Sequence, residues 1–230
     1  MKNLYIYFLL LLIFSSCQSS TDKVFKEVSS DKSGIDFQNT LKENDSINYF
    51  TYAYMYMGGG VAVGDLNNDG LDDLFFTGNM VDNKLYLNKG DLKFEDISSQ
   101  AGVSGSNKWY TGVTMADVNA DGFLDIYCSV AGKFGDKSNE LYINNGDLTF
   151  TEQAEKYGLA DKANSVQASF FDFDKDGDLD VYIANYPITP FNAPNQLYAF
   201  KQKYGKEHER DRLMENRDGV FIDITELQEF

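Results

Sequence analysis

Apolar residues along this chain come in short bursts of four to seven, and clusters of Gly, Asn and Asp separate the bursts. The clearest set is "VAVGD" (61–65), "DDLFFTG" (72–78), "KLYLN" (84–88) and "KFEDI" (93–97). Runs of that length, rich in Val, Tyr and Phe and bounded by turn-forming residues, predict strands. "KGD" (89–91) and "NGD" (145–147) predict tight hairpin turns, because glycine tolerates positive φ. A second set follows from 109 and a third from 164.

The sets are copies of one another. "VGDLNNDGLDDLFF" (63–76), "MADVNADGFLDIYC" (115–128) and "FFDFDKDGDLDVYI" (170–183) align without gaps, with first aspartates at Asp65, Asp117 and Asp172. "NKLYLNKGDLKFEDIS" (83–98) matches "NELYINNGDLTFTEQA" (139–154). In the third copy "NQLYAF" (195–200) is expected to open the equivalent unit and "NRDGVFIDIT" (216–225) to complete it. The charged stretch between them, about 200–216, reads as a solvated loop or short helix. The opening "VFKEVSSDKSGI" (24–35) is similar to "FEDISSQAGV" (94–103), the end of a copy.

Four antiparallel strands per period of 50 to 60 residues predict an all-β fold of propeller blades. About three blades are expected, at about 58–103, 109–159 and 164–226, after an N-terminal segment at 18–57. Three blades cannot close a ring, so a section of a larger, about seven-bladed propeller is expected.

The loop between the first two strands of each copy carries the candidate chemistry. Its spacing is D-x-[DN]-x-D-G-x-x-D. Positions 1, 3 and 5 are Asp65, Asn67 and Asp69; Asp117, Asn119 and Asp121; and Asp172, Asp174 and Asp176. Glycine at position 6 permits a sharp bend. The carbonyls at position 7 (Leu71, Phe123, Asp178) can point inward, and Asp73, Asp125 and Asp180 at position 9 close the shell. An oxygen-only donor set of this size suits Ca²⁺, at about three sites. It follows the first half of an EF-hand loop without that loop's Glu at 12 or its helices. The third loop has one more carboxylate than the others and is expected to bind most tightly.

Charge and the rarer residues narrow the picture. The formal net charge of −16 leaves no basic footprint for nucleic acid. The single histidine, His208, lies in a charged stretch, so zinc and copper lack a ligand set. Cys128, in the apolar "DIYCSV", reads as a buried inert thiol. "MKNLYIYFLLLLIFSSC" (1–17) has Lys2, an apolar run from Leu4 to Phe14 too short to span a bilayer, and small residues before Cys17. It resembles a lipoprotein signal with Cys17 acylated, which implies anchoring by lipid alone at the bacterial outer membrane or cell surface.

The repeats resemble the FG-GAP/VCBS family, the blades of integrin-α-like β-propellers. "GGGVAVGDLNNDGLDDLFFTGN", "ADVNADGFLDIY", "LYINNGD" and "FFDFDKDGDLD" resemble, more narrowly, bacterial lipoprotein relatives of cartilage acidic protein. The Phe-Gly-Gly-Ala-Pro element of the family is replaced by "GGGVA", "YTGVT" and "VQASF". An UnbV/ASPIC domain, which often follows such propellers, has no counterpart in these residues. The resemblance implies structural Ca²⁺ in the three acidic loops. Two functions remain open. The first is a cell-surface binding or scaffold module for a glycan or protein. The second is part of a calcium-dependent polysaccharide-active enzyme such as a lyase. The first is favoured, because no Ser/His/Asp set is present. Lys108, Tyr110 and Tyr186 are the loop residues that a lyase could use.

Overall fold

The computed structural model describes residues 24–133, 135–187, 189–190, 192–204 and 209–227. Cys17, the leader before it and His208 lie outside the described residues. No helix among the described residues is long and apolar enough to cross a membrane.

Among the described residues, twelve strands form three four-stranded antiparallel sheets. The first sheet orders β1 (Val61–Gly64), β2 (Asp73–Phe76), β3 (Lys84–Asn88) and β4 (Phe94–Asp96). The second orders β5 (Trp109–Ala116), β6 (Asp125–Ala131), β7 (Glu140–Asn144) and β8 (Phe150–Glu152). The third orders β9 (Ser165–Phe171), β10 (Asp180–Asn185), β11 (Arg212–Arg217) and β12 (Val220–Asp223). Each sheet is a meander in chain order, the arrangement of a propeller blade. The fold class read from the sequence is therefore observed, as blades that do not close a ring.

The core lies between blades. Phe75, Leu85 and Leu87 of the first sheet pack with Val113, Ile126 and Cys128 of the second. The other face of the second sheet presents Tyr127, Leu141 and Ile143 to Ala168, Val181 and Ile183 of the third. Period-2 alternation thus serves two cores at once, and every residue of β6 is buried. Burial pushes the Cys128 thiol pKa well up, so the thiolate is suppressed and the residue behaves as a small hydrophobe. The outer blades are half covered. Phe171 and Tyr182 of the third sheet stand at positions equivalent to buried Ala116 and Tyr127, and both are exposed.

Among the described residues a short helix precedes each blade: α1 (Ser30–Ser33) the first, α2 (Ser98–Ala101) the second and α3 (Ala154–Tyr157) the third. Each ends on a left-handed glycine, at Gly34, Gly102 and Gly158. Gly158 lies against the Phe221 backbone of the next blade, and Gly34 against that of Phe94. The similarity of 24–35 to a repeat ending is thus also a similarity of position.

The third blade corrects one expectation. "NQLYAF" is not a strand; it opens the helix α4 (Asn195–Tyr204). The third strand of this blade is β11, "RLMENR", which pairs Met214 with Val181. It leads through Asp218–Gly219, both at positive φ, into β12. That is the Asp-Gly pattern of a two-residue hairpin.

Candidate metal-binding loops

The three acidic loops share one backbone. Position 4 is left-handed in each (Asn68 φ 58, Ala120 φ 56, Lys175 φ 67), and so is the glycine at position 6 (Gly70, Gly122, Gly177). In the first loop Asp65 accepts from Asp69 N–H at 3.1 Å and from Gly70 N–H at 2.8 Å. Asp69 accepts from Leu71 N–H at 2.9 Å. In the second loop Asp117 accepts from Asp121 and Gly122 at 3.0 and 2.9 Å, and Asp121 from Phe123 at 2.9 Å. In the third loop Asp172 accepts from Lys175 and Gly177 at 2.6 and 3.2 Å, and Asp176 from Asp178 at 3.1 Å. These side-chain-to-backbone bonds are the local alternative to strand pairing that Asp and Asn favour in turns.

The position-9 aspartates are buried. Each has both carboxylate oxygens on backbone N–H groups. Asp73 accepts from Leu66 at 3.1 Å and Asn88 at 2.8 Å; Asp125 from Val118 at 2.9 Å and Asn144 at 2.8 Å; Asp180 from Phe173 at 3.0 Å and Asn216 at 2.8 Å. An ionised carboxylate oxygen has two lone pairs, so each of these keeps acceptor capacity. Burial raises the Asp73 pKa and pushes that of Asp125 up to about 6, against the pull of those N–H groups.

The loops differ at position 3. Asn67 Nδ2 donates to Asp69 at 3.0 Å, and Asn119 Nδ2 to Asp121 at 2.8 Å. An amide N–H thus answers one carboxylate in each. The third loop has Asp174 there. Carboxylate oxygens of Asp172, Asp174 and Asp176 all lie within 4.8 Å of one another. Asp178 Oδ1 is buried without a hydrogen-bond partner. Desolvation and then the charges of Asp176, Asp180 and Asp174 raise the Asp178 pKa, and Asp174 is raised for the same two reasons. Converging carboxylate oxygens, with mutual charge that raises the Asp174 and Asp178 pKa values, fit a hard divalent cation such as Ca²⁺.

Three asparagines complete the loops and escaped the motif reading. Asn88 and Asn144 end the third strand of their blades, and Asn216 is the last residue but one of β11. Each donates its backbone N–H to the position-9 aspartate, and its side-chain oxygen accepts from Gly90, Gly146 or Gly219. Their Nδ2 groups hold carbonyls at the loop end: Asp72 at 2.7 Å, Leu124 at 3.1 Å and Leu179 at 3.3 Å. The signal was present as "NKG", "NNG" and "NRDG". Asn144 Nδ2 also reaches Leu66 O in the neighbouring loop at 2.8 Å, and Asn68 Nδ2 reaches Gly122 O at 3.0 Å. The first two loops are therefore bonded across the blade boundary.

Lys108, Tyr110 and Tyr186 have structural partners. Lys108 Nζ lies 3.0 Å from Glu140 and 3.2 Å from Asp136. Glu140 also accepts from Tyr110 OH at 2.6 Å, Tyr142 OH at 2.7 Å and Ser106 Oγ at 2.6 Å. Burial opposes ionisation of Glu140, yet these donors outweigh it and hold the carboxyl below its usual range. Tyr186 OH lies 2.7 Å from Tyr52 OH. Burial raises the Tyr110 and Tyr186 pKa values, so both phenols stay protonated at neutral pH.

Comparison with known proteins agrees with the repeated blades. The FG-GAP-like repeat family matches residues 50–128 and 129–183. Cartilage acidic protein 1 of Xenopus tropicalis is 34% identical over 164 residues, covering 70% of this chain and 24% of that protein. The Homo sapiens protein of the same name is 29% identical over 155 residues, covering 65% and 22%. The chain thus spans about a quarter of the length of these relatives.

Proposed function

Because the chain belongs to the FG-GAP-like repeat family, we propose that it is a calcium-binding stretch of β-propeller that serves as a binding or scaffold module for a glycan or protein. The observation that carries the calcium reading is the third loop. Carboxylate oxygens of Asp172, Asp174 and Asp176 lie within 4.8 Å of one another, with an aspartate where the other two loops carry an asparagine, on a backbone that those two loops repeat. Asp65, Asn67, Asp69 and Asp73, and Asp117, Asn119, Asp121 and Asp125, are the corresponding ligand sets, with the carbonyls of Leu71, Phe123 and Asp178 at position 7. The cation neutralises charge that the fold brings together and so favours the folded blades by mass action. The blades run over about 58–103, 109–159 and 164–226. The leader with Cys17 supports a lipid-anchored place at the outer membrane or cell surface.

Calorimetric titration of chelator-stripped protein with Ca²⁺ tests the reading. About three binding events are expected, the tightest lost in Asp172→Ala. Absence of Ca²⁺ binding, or an Asp172→Ala variant with the tightest event intact, contradicts it.

A further inference from the structure

A cavity of about 290 Å³ opens at the other end of the second blade from its acidic loop. Trp109, the first residue of β5, lines it, whereas the acidic loop follows Ala116 at the last. Eight residues of strand separate the two, roughly 25 Å. Trp109 and Tyr52 stand edge to face at 5.3 Å, which fixes the indole and forms an apolar wall. The rim carries the Asp82 carboxylate, the Ser104 hydroxyl and the Asn107 amide. Asp82 and Asn107 are exposed, and none of these three side chains makes a hydrogen bond within the described residues. Two lysines also line the cavity: the Lys108 ammonium is held by Glu140, Asp136 and the Ser138 carbonyl, and the Lys133 ammonium donates to the Thr51 carbonyl at 2.9 Å.

We propose that this cavity binds one pyranose unit of a neutral saccharide. A pyranose has an apolar C–H face and a hydroxyl edge, which match an indole wall and a rim of three unengaged donors and acceptors. A tyrosine or tryptophan side chain supplies an apolar face but a single polar group. An anionic sugar meets the Asp82 carboxylate, while of the two lysines lining the cavity Lys108 is already neutralised by two acids and Lys133 is tied to the Thr51 carbonyl. Small-molecule sites commonly have this make-up, an apolar enclosure with a few placed polar groups. The inference rests on the binding-module reading and names a ligand class for it. Calcium at the opposite end of the strand would stiffen the blade without touching the sugar.

Trp109 is the only tryptophan in the chain, so its emission reports on the cavity alone. The experiment titrates the calcium-loaded chain with the methyl glycosides of glucose, galactose, mannose and N-acetylglucosamine, and with methyl glucuronide acid. Saturation-transfer NMR on each sugar provides a second readout. We expect a saturable emission change and transfer for a neutral glycoside, with a dissociation constant on the order of 1 mM, and roughly tenfold weaker binding of the glucuronide. Asp82→Ala and Asn107→Ala should each weaken the neutral sugar by roughly tenfold with the melting temperature unchanged. Silence in both readouts for every neutral glycoside overturns the proposal. So does tighter binding of the glucuronide, or full affinity in both variants. A silent sugar titration beside intact calcium binding removes the saccharide site alone; loss of calcium binding removes the other reading.

Discussion

Asn144 N–H donates to Asp125 Oδ1 at 2.8 Å, and the same asparagine's Nδ2 donates to Leu66 O of the preceding blade, also at 2.8 Å. One residue therefore locks the acidic loop of its own blade and holds the loop of its neighbour. Blade 1 has only the first half of this arrangement. Asn88 bonds Asp73 and Asp72 within its own blade.

Asn144→Ala should therefore loosen two loops where Asn88→Ala loosens one. With side-chain hydrogen bonds at both ends, and Asn144 buried, the expected loss is about 2–3 kcal/mol. Hydrogen exchange followed by mass spectrometry should show faster exchange over 65–73 as well as 117–125 in Asn144→Ala. Exchange confined to 117–125 would contradict the cross-blade role.

Asp125 gives the metal-free protein a pH dependence of definite sign. Its carboxyl lies at about 6 in the fold, against about 3.9 in an unfolded chain. The folded state holds this proton more tightly, so its contribution is complete below about pH 3.9 and lost as pH rises through about 6. In excess chelator, Asp125→Asn should be less stable throughout, because its amide N–H faces a backbone N–H. It should also lose less stability than the parent between about pH 4 and pH 7. Parallel stability profiles, measured by urea unfolding across that range, would count against the assignment.

Glu140 is a buried carboxylate with four donors around it, from Lys108, Ser106, Tyr110 and Tyr142. Removing it leaves two buried phenols without their acceptor and the Lys108 ammonium with Asp136 and the Ser138 carbonyl alone. Glu140→Ala should cost about 3–5 kcal/mol in urea unfolding at neutral pH. Glu140→Gln keeps the acceptor oxygen but not the charge, and should fall between parent and alanine. A gain in stability on Glu140→Ala would show that the cluster is dispensable.

Gly102 and Gly158 have the same φ of +76° but different surroundings. A Cβ at 102 lies 3.6 Å from Phe150 O, whereas at 158 it lies 2.6 Å from Phe221 O. Gly102→Ala should cost only the left-handed backbone, about 1–2 kcal/mol. Gly158→Ala adds a clash with backbone that cannot swing away, and should lower the melting temperature clearly more. Equal melting temperatures would mean that α3 does not seat on the third blade as described.

Removal of Ca²⁺ should lower the melting temperature of the parent well beyond measurement error, because the carboxylates of Asp172, Asp174 and Asp176 then crowd within 4.8 Å of one another. Asp174→Asn reproduces the amide of the first two loops. It should narrow the difference between chelated and loaded melts. A melt indifferent to chelator would remove the structural role of the cation.

Much of this protein is decided locally. Gly and Asp at fixed offsets set the bends of each acidic loop, and short apolar runs set most of the strands. Those interactions span a few residues, so the three loops, the first two blades and the ring left open were legible in the chain. The third blade was not. "NQLYAF" spells the start of a third strand, yet Asn195–Tyr204 is a helix and Arg212–Arg217 takes the place in the sheet. That choice rests on Met214 facing Val181 and on Asn216 closing over Asp180, partners 33 and 36 residues away. The asparagine bonds between blades, the Glu140 cluster and the wall of Trp109 and Tyr52 were hidden for the same reason. Sequence determines which turns and strands this chain can form. Burial between neighbouring blades, where unpaired polar groups are expensive, decides which of them meet.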